Sequence, residues 1–432
     1  MTFRVKNLIY FMLFVFLTIP NSIPFLNFFR LYIKIGSNSI YIYDLIFIIL
    51  IIFSIIKVYI NNFKISSRLI KKTEYIYFIW LALLFLYFLV GLKYNAFNYV
   101  FNDIRNLIYF IGFIVFIILF DEKKDLKVTM KICVLASIIY SIINIFVFLF
   151  KDNLFYAILE QTQWVGANRL SFININLVFL IIPIYFNRNK IFKENRWYNL
   201  SGIAMISLII CIIVGKNLTL GAITAFLIIC NIIVSGKLKL RINISKIHLL
   251  TSFFVILVAV FIFVMKPDLI DYVYELVGEY SEKIERVMSG GFDNLNSWRS
   301  RQITNEYAFY TFKEKKMGYG LGKTFATYIQ NGDLANINHM YVDSTVHTIM
   351  VKMGVIGVII YFTLYISYLI ECFRLNKNTL SLSFAFSYLG IGFLMISTSH
   401  PFRNCYVITI MSLVVLINRQ IKLYEEYEFN EE

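Results

Sequence analysis

The sequence predicts an all-α, polytopic membrane protein with about twelve transmembrane helices and one large extracytoplasmic loop between the ninth and tenth. Three observations predict it. Of the 432 residues, 59% are apolar and only 16% charged, whereas soluble domains carry about a quarter charged residues. Uninterrupted apolar runs recur along nearly the whole chain, each approaching the ~20 residues that cross ~30 Å of hydrocarbon as helix. Backbone groups in lipid must bond within their own segment, so such runs fold as helices and not as open strands. Finally, the loops between runs alternate between cationic and nearly neutral.

The predicted spans are 8–24, 40–60, 75–91, 104–120, 132–150, 170–186, 200–214, 217–235, 248–265, 345–371, 380–397 and 404–418. The first opens after Arg4 and Lys6 with no small-residue cleavage site behind it, which predicts a retained anchor. One set of loops holds Lys64, Arg68, Lys71 and Lys72, then Lys123, Lys124, Lys127 and Lys131, then Arg188, Lys190, Lys193 and Arg196. Lys237, Lys239, Arg241 and Lys246 follow, then Arg374 and Lys377, while the opposite short loops carry only scattered cations. The positive-inside rule makes the cationic set and both termini cytoplasmic. Three parts result: a bundle of nine spans over 1–265, an extracytoplasmic loop over 266–344, and spans ten to twelve with a tail over 345–432.

Lysine and arginine total 41 against 26 acids, but this excess sits in short loops between spans and not in a patch suited to nucleic acid, so no nucleic-acid partner is expected. Cys133, Cys211, Cys230, Cys372 and Cys405 lie in or at the ends of apolar runs without metal-ligand spacing, and they read as packing residues. Within the long loop, Asp268–Met288 has apolar residues near helical spacing with charges between, which predicts an amphipathic surface helix. Long loops in compact bundles are more often functional than decorative.

Three features of that loop bear on chemistry. Trp298-Arg299-Ser300-Arg301 offers guanidinium groups, whose planar fork suits phosphate, although paired loop arginines are more often ordinary surface cations. Gly318, Gly320 and Gly322 form a GYGLG run that either lets backbone approach a ligand or makes a flexible turn; it lacks the context of a nucleotide phosphate loop. His339 through His347 reads HMYVDSTVH and runs into the tenth span. A helix beginning near Asp343 would put Asp343 and His347 on one face, where a carboxylate and an imidazole can accept a proton from a hydroxyl. The plainer reading makes Asp343 a helix cap and His347 an interfacial polar residue. No carboxylate pair marks a metal site in the outer loops, and no cofactor is expected.

An arginine seventeen residues before a Gly-x-Gly-x-Gly turn (Arg301 to Gly318), a helix between them (QITNEYAFYTFKEKK), a polar cluster, and a span with paired glycines (Gly354, Gly357) resemble the O-antigen ligase/polymerase family. Asn168-Arg169-Leu170-Ser171 is similar to the family's arginine-led entry to a middle span, and Lys216 stands where the family often has the arginine of a Ser-Arg-Gly turn. Many ligases have a His-Asn pair eleven residues before the first paired glycine; here that slot holds Asp343-Ser344, closer to the polymerases. Lys352 fills a slot that is often acidic.

The resemblance implies a GT-C-like fold and a metal-independent glycosyltransferase acting on polyprenyl-pyrophosphate-linked oligosaccharides. Asp343, His347 or His339 would be the base, and Arg169, Arg301, Arg299 and Lys216, with the three loop glycines, would hold pyrophosphate. Flippase and chain-length-regulator proteins would be partners besides the bilayer. The implied activity is polymerisation of O-antigen, capsule or exopolysaccharide units, with ligase-type transfer of finished glycan as the alternative. A lipid-glycan transporter is a third reading. Transporters place ionisable groups near midplane and show related halves; these span interiors read as nearly free of charge, and one large loop breaks any symmetry.

Overall fold

A computed structural model describes residues 3–20, 23–35, 38–62, 69–149, 173–215, 218–235, 296–328, 334–342, 344–374, 378–397 and 405–428, with isolated positions between them. The long helices are α1 (Phe3–Thr18), α2 (Ile42–Ile60), α3 (Thr73–Tyr94), α4 (Phe97–Leu107), α5 (Gly112–Leu119), α6 (Lys123–Leu149), α7 (Val178–Phe186), α8 (Asn195–Val214) and α9 (Leu218–Ser235). They continue with α10 (Asn296–Glu314), α11 (Thr345–Phe373), α12 (Thr379–Ser397) and α13 (Cys405–Glu428). A 3-10 turn, Ile108–Ile111, joins α4 to α5 so that together they make one crossing. Among the described residues, eight helical segments are long and apolar enough to span a bilayer, and Ile175–Phe186 and Thr219–Ser235 are shorter apolar helices. The fold is all-α and polytopic. The ninth predicted span, 248–265, and most of the predicted surface helix lie outside the described residues.

Two hairpins were not foreseen. β1 (Tyr32–Ile35) pairs antiparallel with β2 (Asn38–Tyr41) just before α2, and β3 (Phe325–Tyr328) pairs antiparallel with β4 (Leu334–His339) between α10 and α11. The chain divides into one compact unit of residues 1–235 and 305–432 and a second of 236–304.

The larger unit keeps an apolar, aromatic-rich core but also turns polar side chains inward and apolar ones outward. Helix α13 is buried throughout Tyr406–Ile421 although it carries Thr409, Ser412, Asn418, Arg419 and Gln420. Several of their polar atoms bond to neighbouring helices: Asn418 donates to the Ser381 carbonyl at 2.7 Å and Gln420 to the Phe120 carbonyl at 2.5 Å. Helix α3, by contrast, exposes Phe78, Ile79, Phe85, Leu86, Leu89 and Leu92. Lipid tails are as apolar as leucine, so burying leucine drives little; helices associate through packing and hydrogen bonds, and polar residues turn inward. Interlocked aromatic rings fill the space between, such as Phe47 against Tyr109 with centroids 4.3 Å apart and Phe113 against Tyr368 at 4.9 Å.

Helix ends that alternate in sequence collect at two ends of this unit. Lys6 of α1 meets Asp125 of α6 at 2.9 Å, and Lys57 near the end of α2 meets Asp121 at 2.5 Å. Lys131 pairs with Glu194 across α6 and the start of α8. Arg419 joins Glu74 at the start of α3 to Glu371 at the end of α11. These ends all belong to the cationic loop set. At the other end, Asn106 donates to the Phe402 carbonyl and Arg105 to the Ser39 carbonyl. The described helices therefore cross in the alternating order that the loop charges imply.

Candidate functional site

The site is built around an interrupted helix at the end opposite the cationic loops. Ser344 caps α11, its hydroxyl accepting from the His347 N–H at 3.5 Å. Thr348 secures the same turn by donating to the Ser344 carbonyl at 2.9 Å. Ser344 rather than Asp343 is thus the cap, and the helix begins at Thr345, two residues later than the shared-face expectation assumed. Asp343 itself lies outside the described residues.

Helix α11 breaks at Gly354, whose φ of 66° and ψ of −166° are not helical. A break inside a membrane bundle orphans backbone groups that water cannot reach, and the GYGLG segment satisfies them. Tyr319 and Gly320 donate their N–H groups to the carbonyls of Val351 and Lys352, both at 2.9 Å, while Val355 donates to the Lys316 carbonyl at 3.1 Å. Leu321 donates to the Tyr87 carbonyl of α3 at 3.0 Å. Asn95 donates to the carbonyls of Tyr319 and Leu321, and the Tyr87 hydroxyl to that of Met317.

The glycines are what let the strands of backbone meet. Gly318, Gly320 and Gly322 all have φ between 82° and 87°, a region closed to most side chains. A Cβ on Gly318 would lie 2.6 Å from the Gly354 nitrogen, and one on Gly320 2.5 Å from the Gly91 nitrogen. On Gly354 it would meet the Lys316 carbonyl at 2.5 Å. The run is therefore a locked insert that grips α3, α4 and both halves of α11; its close approaches among the described residues are to protein backbone and to the Val100 side chain.

Beneath the insert lies a buried ion pair. Lys352 Nζ reaches Asp103 Oδ2 of α4 at 2.5 Å, with both side chains fully buried. The same oxygen accepts the Gly322 N–H at 2.6 Å. Asp103 Oδ1 is buried without a hydrogen-bond partner among the described residues. The expectation of nearly charge-free span interiors is corrected here, and by the Arg419 cluster at the other end. Both acids and bases were in view, but Asp103 stood one residue outside a predicted span and its partner is 249 residues away.

His347 is half-buried in the first turns of α11, and its Nδ1 is buried without a partner among the described residues. His339 ends β4, where its backbone pairs with Phe325 of β3; its side chain is not described. Ala308 of α10, Phe325, Val342 and Val351 form a small apolar core with Phe312 and Tyr319 beside it. That core ties the hairpin, the glycine insert and the start of α11 together, so His339 and His347 belong to one assembly. Arg301 is part-buried in α10, within the second unit, and Arg299 lies on the same helix with its side chain undescribed. Arg169 and Lys216 lie outside the described residues.

Among the described residues one acidic group has metal-like spacing: Asp121, Glu122 and Asp125, with ligand atoms within 4.8 Å of one another. It sits at the cationic end and is already matched by lysines. Lys6 and Lys124 approach Glu122 at 2.5 and 2.8 Å. Burial pushes the Glu122 carboxyl up, but hydrogen bonds from Lys124 and Lys6 outweigh it and hold it at about 2. Cys133, Cys211 and Cys372 are buried free thiols and Cys230 is partly so, as packing residues would be.

No curated protein matches the chain. Residues 202–362 match the profile described as O-antigen ligase, a stretch that takes in the glycine insert, His339, His347 and the break at Gly354. The break at Gly354 and the turn it receives thus lie both at the mechanical centre of the site and within the matched region, and the match is consistent with an O-antigen ligase/polymerase family, which implies ligase- or polymerase-type glycan transfer.

Proposed function

We propose that the protein is a polysaccharide polymerase of the cytoplasmic membrane. It moves a growing glycan from polyprenyl pyrophosphate to a sugar hydroxyl of the next lipid-linked repeat unit at the outer face. The observation that supports this is the clamped start of α11, which carries His347 at the end of the bundle away from the cationic loops. A cation-poor end faces outward under the positive-inside rule.

In the reaction the acceptor hydroxyl loses its proton to Asp343 or His347. Its oxygen bonds to the anomeric carbon as the bond from that carbon to the phosphate oxygen breaks, and polyprenyl pyrophosphate departs with the electron pair. The donor is already activated, so the protein's work is positioning, proton acceptance and stabilisation of the leaving charge. Arg169 and Arg301 supply the last of these through bidentate contacts. His347 suits the proton role because its Nδ1 is unspoken for among the described residues.

The description of the matched family favours a second reading, a ligase that delivers finished glycan to a lipid or protein acceptor. Purified protein incubated with one lipid-linked repeat unit separates them. A ladder of lengthening products supports the polymerase; unchanged starting material, with single transfer to an added acceptor, supports the ligase.

A further inference from the structure

Outer-face segments generally avoid cations, and one group of cations at the cation-poor end of this bundle gathers around the glycine insert. Lys93, at the last turn of α3, and Lys315 and Lys323, flanking the glycine insert, surround two tyrosine rings. Lys93 and Lys315 both lie over Tyr94, at 5.2 and 4.5 Å from its centroid. Lys315 and Lys323 both lie over Tyr319, at 5.2 and 4.7 Å. No carboxylate forms an ion pair with any of the three among the described residues, and the neighbouring acid, Glu314, accepts from the Tyr319 hydroxyl at 3.2 Å.

The arrangement is fixed rather than a chance gathering of surface side chains. Lys93 is two residues from Gly91, on which the backbone of Leu321 rests, and the insert between Lys315 and Lys323 is pinned by the three glycines and by Asn95. Below Lys93, α3 exposes Phe85, Leu86, Leu89 and Leu92. Cations and tyrosine rings above an exposed apolar helix face suit a ligand with a phosphate group, a sugar to stack on a ring, and a hydrocarbon tail.

We propose that Lys93, Lys315 and Lys323, around Tyr94 and Tyr319, hold the pyrophosphate of the acceptor, the second lipid-linked unit. The inference rests on the polymerase reading, since only polymerisation needs two lipid-linked pyrophosphates bound at once. The side-chain types agree with the division of labour. The donor pyrophosphate gains charge as it leaves and calls for guanidinium forks. The acceptor pyrophosphate keeps its charge throughout and needs only point cations, which lysine provides.

The test is calorimetric titration of the purified full-length protein, in neutral detergent, with farnesyl pyrophosphate. The wild type should bind two molecules, and the triple variant Lys93→Gln, Lys315→Gln, Lys323→Gln should bind one with the remaining affinity unchanged. Lys93→Gln alone, at an exposed position that does not perturb folding, should weaken one of the two sites. Two undiminished sites in the triple variant, or a single site in the wild type, overturn the proposal. So does displacement of the probe from the lysine site by dihexanoyl phosphatidylglycerol at similar affinity, which would assign the patch to bulk lipid. A protein that makes no ladder refutes the polymerase reading instead, whatever the stoichiometry.

Discussion

Lys352 on α11 and Asp103 on α4 form a fully buried ion pair whose carboxylate also accepts the Gly322 N–H. Two helices and the glycine insert therefore share one oxygen atom. Removing one partner leaves an uncompensated charge away from water, which costs about 3–5 kcal/mol, whereas replacing both is often nearly neutral. Lys352→Met and Asp103→Leu should each lower the thermal midpoint of the detergent-solubilised protein, and the double variant should recover most of the loss. A double variant as unstable as the sum of the two singles would show that the residues do not act as a pair.

The glycine insert gives a second prediction. Gly354→Ala places a methyl group 2.5 Å from the Lys316 carbonyl at a φ of 66°, so either the break or the insert must yield. Gly221→Ala, whose new methyl would meet only Ile212 Cγ2 at 3.9 Å, is the control within a helix. Holding a side chain in this glycine-only conformation alone costs roughly 1–3 kcal/mol, and the backbone collision adds to it. Gly354→Ala should melt well below wild type and Gly221→Ala at or above it; equal midpoints would mean that the insert is not clamped.

Much of the fold was legible because lipid makes the rule simple: a long apolar run must be a helix. Every predicted span that falls on described residues contains helix. The hairpins escaped notice because four-residue strands such as Phe325–Tyr328 are shorter than any periodicity can register. The glycine run was visible, but not its purpose, since Gly91 and Gly354 are what it touches and neither is near it in sequence. Charge inside the bundle was hidden in the same way. Arg419 follows directly on the last predicted span, 404–418, while the helix continues to Glu428 and carries it into the core.

Metal dependence is open to a direct check. The acidic trio at Asp121, Glu122 and Asp125 is matched by Lys6, Lys57 and Lys124, which compete with any cation for the same oxygens. Glycan transfer should therefore persist in excess EDTA. Activity abolished by the chelator and restored by magnesium or manganese would replace the arginine-based treatment of the leaving group with a metal-based one.

The most direct measurement is polymer formation by site variants in membranes that contain equal amounts of each protein. Asp343→Asn and His347→Ala should abolish the ladder, because loss of a general base costs on the order of 10² to 10⁴ in rate. Arg301→Lys should fail too, since lysine keeps the charge and loses the planar fork. Near wild-type ladders from both Asp343→Asn and His347→Ala would contradict the assignment of proton transfer to the clamped start of α11 and turn attention to His339.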